Sequence, residues 1–177
     1  NIFAFDDALN AGGDIIIDGG RLYAYSVAND GIDGNACLSL RGGIVVANGS
    51  NAPEQGVDVD GDARFDVTGG VLVAVGGTMG PAPTLPRAQA TEQPVAACVG
   101  ALLERGKYAA LCSADGAVLY AYRLPRSLVG GAVTFSSPQM SVGQSYSFVL
   151  CDSVSGAKNL GNGLFEGGRV DVSPALS

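Results

Sequence analysis

Three stretches in the first half of this chain repeat one another, and that repetition restricts the fold more than any other feature. Residues 6–25, DDALNAGGDIIIDGGRLYAY, align without a gap on residues 29–48, NDGIDGNACLSLRGGIVVAN. Residues 54–75, EQGVDVDGDARFDVTGGVLVAV, form a third copy with a two-residue insertion after Asp58. Each copy holds one Gly-Gly pair, at 19–20, 42–43 and 69–70, so the period is 23 and then 27 residues. Such a period belongs to a solenoid, in which a repeat is too small to bury its own apolar face and is stabilised by stacking on its neighbours.

Within each copy the side chains alternate. Ile15 and Ile17, Leu38 and Leu40, Phe65 and Val67 share one parity, with Ile16, Ser39 and Asp66 on the other, which is the period of a strand with its first set turned inward. Beyond the Gly-Gly turn, Leu22, Val45 and Leu72 form one inward level and Ala24, Ala47 and Ala74 the next. Helical spacing is absent, and the Gly and β-branched content disfavours helix. The expected fold is all-β: a parallel β-helix of about three coils over residues 1–80, the coils stacked at the strand spacing of ~4.8 Å. On the outer side, the rows Arg21, Ile44, Val71, then Tyr23, Val46, Val73, then Tyr25, Asn48, Val75 are too apolar for water. They are expected to be covered by the rest of the chain or to form a binding patch.

A Pro-rich segment, residues 81–94, carries Pro81, Pro83, Pro86 and Pro94 and reads as a linker or long loop. Residues 95–177 read as an antiparallel β-rich part packed on the coils. Asp115-Gly116 marks a hairpin between KYAALCS and AVLYAYRL, and AVTFSS followed by SYSFVL suggests another. Tyr120 and Tyr122 share one face and read as core or interface residues. The four cysteines contain no C-x-x-C pair, which speaks against a zinc ribbon or redox motif. Cys98 and Cys112 lie symmetrically about Arg105 and are either cross-strand disulfide partners in a hairpin or small buried thiols.

Charge narrows the function. The net charge is −7, and residues 1–80 hold 11 acidic against 3 basic residues. Nucleic-acid binding and attraction to an anionic membrane are therefore not expected. The chain has no His, which removes Ser-His-Asp, Cys-His and His-ligated zinc chemistry. No run of ~20 apolar residues predicts membrane insertion. No charged-then-apolar leader opens the sequence, so a mature or partial chain is expected.

Superposing the copies lines up oxygen-bearing side chains in three columns: Asp6, Asn29, Glu54; Asp7, Asp30, Gln55; Asn10, Asp33, Asp58. Carboxylates in adjacent coils, about 5 Å apart, would repel by roughly 3 kcal/mol at an effective dielectric near 20. The three arginines of the segment are too few to offset this, and Arg41 reads as the partner of Asp18. Calcium fits, because it takes six to eight oxygen ligands in irregular geometry. The candidate metal ligands are Asp7, Asn10, Asp30, Asp33 and Asp58, with Asp60 and Asp62 added by the insertion. The alternative is that these residues close the solenoid corners through Asx turns. Tyr23 and Tyr25 are candidate sugar-stacking residues, or packing residues.

The segments DALN-x-G-G-D-I-x-I-x-G-G, NDGID-x-N, EQGVDVD and F-x-V-T-G-G-V-L-V-A-V-G-G resemble a β-helix carbohydrate-binding family of secreted clostridial and Bacteroidetes proteins. AVTFSSPQMSVGQSY and NGLFEGG resemble the β-rich tail that follows the coils in that family, so the likeness spans nearly the whole chain. The resemblance implies a right-handed, calcium-bearing β-helix, secreted or at the cell surface, that binds cellulosic or acidic polysaccharide without cleaving it. It places calcium ligands at Asp7, Asn10, Asp30, Asp33 and Asp58. Gln55 and Asn10 depart from the acidic residues expected at their positions, and against the family pattern the chain is expected to lack coils ahead of the first copy. Two other functions remain open: a uronate-type polysaccharide lyase, for which a Lys or Arg base is hard to place beside the columns, and a structural surface or adhesin solenoid.

Overall fold

The computed structural model describes residues 1–60, 64–80 and 93–171. Every regular element among them is a strand. β1 (Ile2–Ala4) leads into a first coil of β2 (Leu9–Ala11), β3 (Ile15–Ile17) and β4 (Arg21–Ser26). The second coil is β5 (Ile32–Gly34), β6 (Cys37–Leu40) and β7 (Ile44–Asn48), and the third β8 (Val57–Val59), β9 (Arg64–Val67) and β10 (Val71–Gly76). Corresponding strands stack in parallel as β2-β5-β8, β3-β6-β9 and β1-β4-β7-β10. This is the β-solenoid of about three coils that the repeat predicts. The insertion falls between Val59 and Arg64 rather than directly after Asp58, because Gly34 pairs with Val59 and Cys37 with Arg64.

The inward side chains merge into one core. Ile15, Leu38, Leu40, Phe65 and Val67 meet Val45, Leu72, Ala24, Ala47 and Ala74 there, with Ile17 and Leu22 partly buried against them. Each fully buried Leu, Val or Phe contributes about 1.5–3 kcal/mol, which a single coil could not accumulate. The Gly-Gly corners are dictated by geometry. Gly43 has φ +84°, and a Cβ there would lie 2.6 Å from the carbonyl oxygen of Gly20 in the coil above. Only glycine allows both the left-handed turn and that approach. On the outer side, Val46, Val73 and Asn48 are buried.

The chain divides into two compact units, one of Asn1–Ala101 with Leu128–Val142, the other of Leu102–Ser127 with Gly143–Ser177. In the first, the long sheet continues past β10 through two strands from beyond the Pro-rich segment, β11 (Val95–Leu103) and β14 (Leu128–Ser136), in the order β10-β14-β11. β14 lies antiparallel on β10, pairing Leu72 with Ser136 and Gly76 with Ala132. Residues 81–92 lie outside the described residues. The end of that segment is tied to the third coil, because buried Gln93 donates from Nε2 to the Gly70 carbonyl at 2.8 Å and to Ser136 Oγ at 2.9 Å.

The second unit holds β12 (Tyr108–Ser113), β13 (Val118–Arg123), β15 (Tyr146–Cys151), β16 (Ser153–Ser155), β17 (Lys158–Gly161), β18 (Leu164–Glu166) and β19 (Arg169–Asp171). A five-stranded sheet runs β15-β12-β13-β18-β17, and β16 pairs with β19. All these pairings are antiparallel. The Asp115-Gly116 hairpin forms as expected, with Gly116 at φ +85° and its N–H donating to the Ser113 carbonyl at 2.9 Å. Tyr120 and Tyr122 are buried.

Two pairings differ from expectation. AVTFSS and SYSFVL do not form a hairpin: β14 extends the solenoid sheet, and β15 pairs with β12. The turn about Arg105 forms, with the Lys107 N–H donating to the Glu104 carbonyl, yet β11 and β12 enter different sheets. Cys98 and Cys112 therefore do not face each other across a hairpin, and all four thiols are free.

Candidate functional site

The candidate site is the corner between β1 and β2 and its counterparts in the next two coils. In-register stacking pairs Asn10 with Asp33 and Asp33 with Asp58. The expected columns therefore exist, and their hydrogen bonds show how they are held. Asn29 Nδ2 donates to Asp6 Oδ1 at 2.7 Å. The Asp30 N–H donates to Asp7 Oδ1 at 3.0 Å, and one coil further on the Gln55 N–H donates to Asp30 Oδ1. A carboxylate in each of the first two coils thus accepts from the main chain of the next, a two-rung ladder that satisfies corner amides which stacking alone would leave unpaired.

The third column closes on itself. Asn10 Nδ2 donates to Asp7 Oδ2 at 2.9 Å and to Asp33 Oδ2 at 2.6 Å, so one amide group bridges carboxylates from two coils. Gln55 Nε2 donates to Asp58 Oδ1 at 2.8 Å. Asn35 adds bonds from Nδ2 to Asp33 Oδ2 at 3.3 Å and Asn10 Oδ1 at 3.4 Å. Sequence reasoning missed Asn35 and gave Gln55 no donor role. The spacing D-x-N at Asp33 and Asn35, which puts two polar side chains on the same side of a strand, was the available signal.

The acidic groups of this corner act on one another. Burial, opposed by the Gln55 amide and reinforced by Asp58, Glu54 and Asp7, pushes the Asp30 carboxyl up to about 7. Burial also raises Asp33, with the charges of Asp7, Asp58 and Asp60 adding to it, and Glu54 is raised for the same reasons by Asp7, Asp58 and Asp6. Asp60 follows β8, exposed, its N–H on the Gly34 carbonyl. Asp62 lies outside the described residues.

The donor set is hard oxygen, which suits calcium. Among the described residues no three acidic side chains converge on one point. Two carboxylates and one amide do converge, at Asn10. Rotating that amide by half a turn would put Asn10 Oδ1 where the nitrogen now stands, beside Asp7 Oδ2 and Asp33 Oδ2, giving three neighbouring oxygens of the six to eight that calcium takes. As placed, Asn10 turns its nitrogen toward both carboxylates, and the three groups are closed by hydrogen bonds.

The two tyrosines separate. Tyr23 is buried and Tyr25 half-buried, and Phe3 of β1 lies over both, with ring centroids at 5.5 and 6.0 Å. Phe3 is 69% exposed and Phe5 77%, so the accessible aromatic surface belongs to residues ahead of the first repeat copy. Four basic side chains are held in ion pairs. Arg41 pairs with Asp18 at 3.4 Å and Arg64 with Asp66 at 2.6 Å, both on the β3-β6-β9 side, while Lys107 pairs with Asp152 and Lys158 with Glu166.

A cavity of about 200 Å³ in the second unit is lined by Leu102, Glu104, Lys107, Leu150, Cys151 and Asp152. No helix among the described residues is long and apolar enough to cross a membrane. Compared with protein-family models, with curated proteins and with solved structures, the chain matches none.

Proposed function

We propose that this chain is a secreted or cell-surface polysaccharide-binding module, non-catalytic, whose coil corner is held by calcium. The observation that carries the reading is the convergence of Asp7, Asn10 and Asp33 from two stacked coils, where burial and neighbouring acidic charges push the Asp30 and Asp33 carboxyls up. Asp7, Asn10 and Asp33 would hold the ion, with Asp30, Asp58 and Asp60 as neighbouring oxygen donors. The ion would supply positive charge among these carboxylates. Exposed Phe3 and half-buried Tyr25 offer ring faces on which a sugar stacks, while Tyr23 supports them from below.

A glycan array probed with and without calcium tests the reading. Calcium-dependent retention of a cellulosic or acidic glycan supports it, and no retained glycan under either condition overturns it. A second reading, a structural surface solenoid without glycan binding, is favoured by the carboxylate-to-amide ladder, which closes the corners without a metal. A lyase reading finds less support, because Arg41 and Arg64 are ion-paired on the β3-β6-β9 side and Lys107 and Lys158 are ion-paired within the second unit. Release of unsaturated product from polygalacturonate, followed by absorbance, would revive it.

A further inference from the structure

In the second unit β12 and β15 run antiparallel with Tyr108 opposite Cys151, so Lys107 and Asp152 are the next facing pair along the same ladder. Facing residues put their side chains on one side of the sheet, and Lys107 Nζ meets Asp152 Oδ1 directly. Both main chains are fixed at that point. The Lys107 N–H donates to the Glu104 carbonyl at 3.2 Å, the Lys107 carbonyl accepts from the Leu124 N–H at 2.8 Å, and the Asp152 N–H donates to the Asp171 carbonyl at 3.3 Å. Around the pair lies the cavity of about 200 Å³, whose wall adds Leu102, Leu150, the buried Cys151 and a third charged group, Glu104. Among the described residues Glu104 enters no ion pair. As an ion pair the contact contributes little, since the Lys107 and Asp152 side chains are 44% and 33% exposed. An amine held against a carboxyl group, with a second carboxylate in the same cavity, has other chemistry open to it.

We propose that Lys107 and Asp152 join in an intramolecular isopeptide bond across β12 and β15, with Glu104 carrying the proton. The Glu104 carboxylate takes one proton from the Lys107 ammonium, and the freed lone pair of Nζ forms a bond to Asp152 Cγ. Glu104 then returns that proton to one oxygen of the Asp152 carboxyl, which takes a second proton from the nitrogen as its C–O bond breaks. One water leaves, a secondary amide remains, and Glu104 ends as it began. One ammonium and one carboxylate become a neutral amide, so charge balances and no oxidant, reductant or co-reactant takes part. Free amines and carboxylates in water stay apart, but groups held in reacting contact gain an effective concentration of about 10⁵–10⁸ M. Burial pushes the neighbouring Cys151 thiol up, opposed by the charge of Lys107, so one wall of the cavity is poorly solvated. The bond is independent of glycan and calcium binding.

The intact mass of the denatured full chain tests this. The parent should weigh less than its sequence by one water per chain, and its tryptic digest should contain a branched peptide, uncut after Lys107, that carries Asp152 in its second arm. Lys107→Arg keeps the charge but offers no amine to acylate, and Asp152→Ala removes the carboxyl, so both should have the full sequence mass. Glu104→Gln, a change at an exposed turn residue, should lower the cross-linked fraction at least tenfold while leaving the circular dichroism spectrum unchanged. A parent at its full sequence mass with no branched peptide would overturn the proposal and leave an ordinary ion pair. So would a loss of water that persists in Lys107→Arg, since the dehydration would then lie elsewhere in the chain. A Glu104→Gln chain cross-linked as fully as the parent would overturn the proton-carrying role of Glu104.

Discussion

Asp30 provides the sharpest quantitative test of the corner electrostatics. It is 7% exposed, accepts the Gln55 N–H and has a carboxyl pushed up to about 7 from an ordinary 3.8, chiefly by burial and further by Asp58, Glu54 and Asp7. A raised folded-state pKa means that the ionised form is penalised in the folded state. The penalty is absent below about pH 4, grows as the pH rises and is complete above about pH 7. Three pKa units correspond to about 4 kcal/mol, to order of magnitude. Asp30→Asn retains an oxygen for the Gln55 N–H and removes the charge. In urea denaturation at pH 8 with excess chelator, the variant should therefore be more stable than the parent by about 2–4 kcal/mol, a midpoint shift of roughly 1–2 M. At pH 4 the two should nearly coincide. The parent should lose stability between pH 4 and pH 8, and the variant should keep only the smaller slope from Asp33 and Glu54. A variant that is less stable at pH 8 in chelator, or that has the parent's full pH slope, would refute the reasoning.

Other expectations follow from packing and exposure. Gly49→Ala should abolish the native fold or cost more than about 3 kcal/mol in denaturation, because its Cβ would lie within 3.1 Å of three main-chain atoms of Gln55 and Gly56. Leu38→Ala, in the middle layer of the core at 2% exposure, should cost about 2–5 kcal/mol by the same measurement. In the native protein a thiol reagent should modify Cys37 and Cys98 readily and leave Cys112 and Cys151 unreacted until denaturant is added, since burial both covers the latter pair and raises their pKa. Phe3→Ala should leave the melting temperature within about 2 °C of the parent, in keeping with its exposed position, while weakening any glycan retained on an array.

The coils were legible because their constraint is repeated. Alternation in Ile15 to Ile17, Leu38 to Leu40 and Phe65 to Val67 tells inside from outside, and the Gly-Gly pairs leave one register for Arg21, Ile44 and Val71. Partners outside the repeat were not legible. β14 has the alternation of a strand, but nothing local says that its edge belongs on β10 rather than beside β15. The symmetry of Cys98 and Cys112 about Arg105 marks a turn and not a shared sheet. Phe3 escaped notice because β1 precedes the first copy and so drops out of an alignment built on copies. At the corner, the columns of oxygen-bearing side chains could be read by superposition, whereas the donor role of Asn10 toward Asp7 and Asp33 depends on atoms brought together only by stacking.

Thermal unfolding of metal-stripped protein, followed by calorimetry in excess chelator and again in millimolar calcium, tests the central claim most directly. If stacked coils share a cation among Asp7, Asn10 and Asp33, calcium should raise the melting temperature by several degrees, and Asp33→Asn should remove that increment. Superimposable melts with and without calcium would contradict the account and leave the corner as a ladder of carboxylates and amides alone.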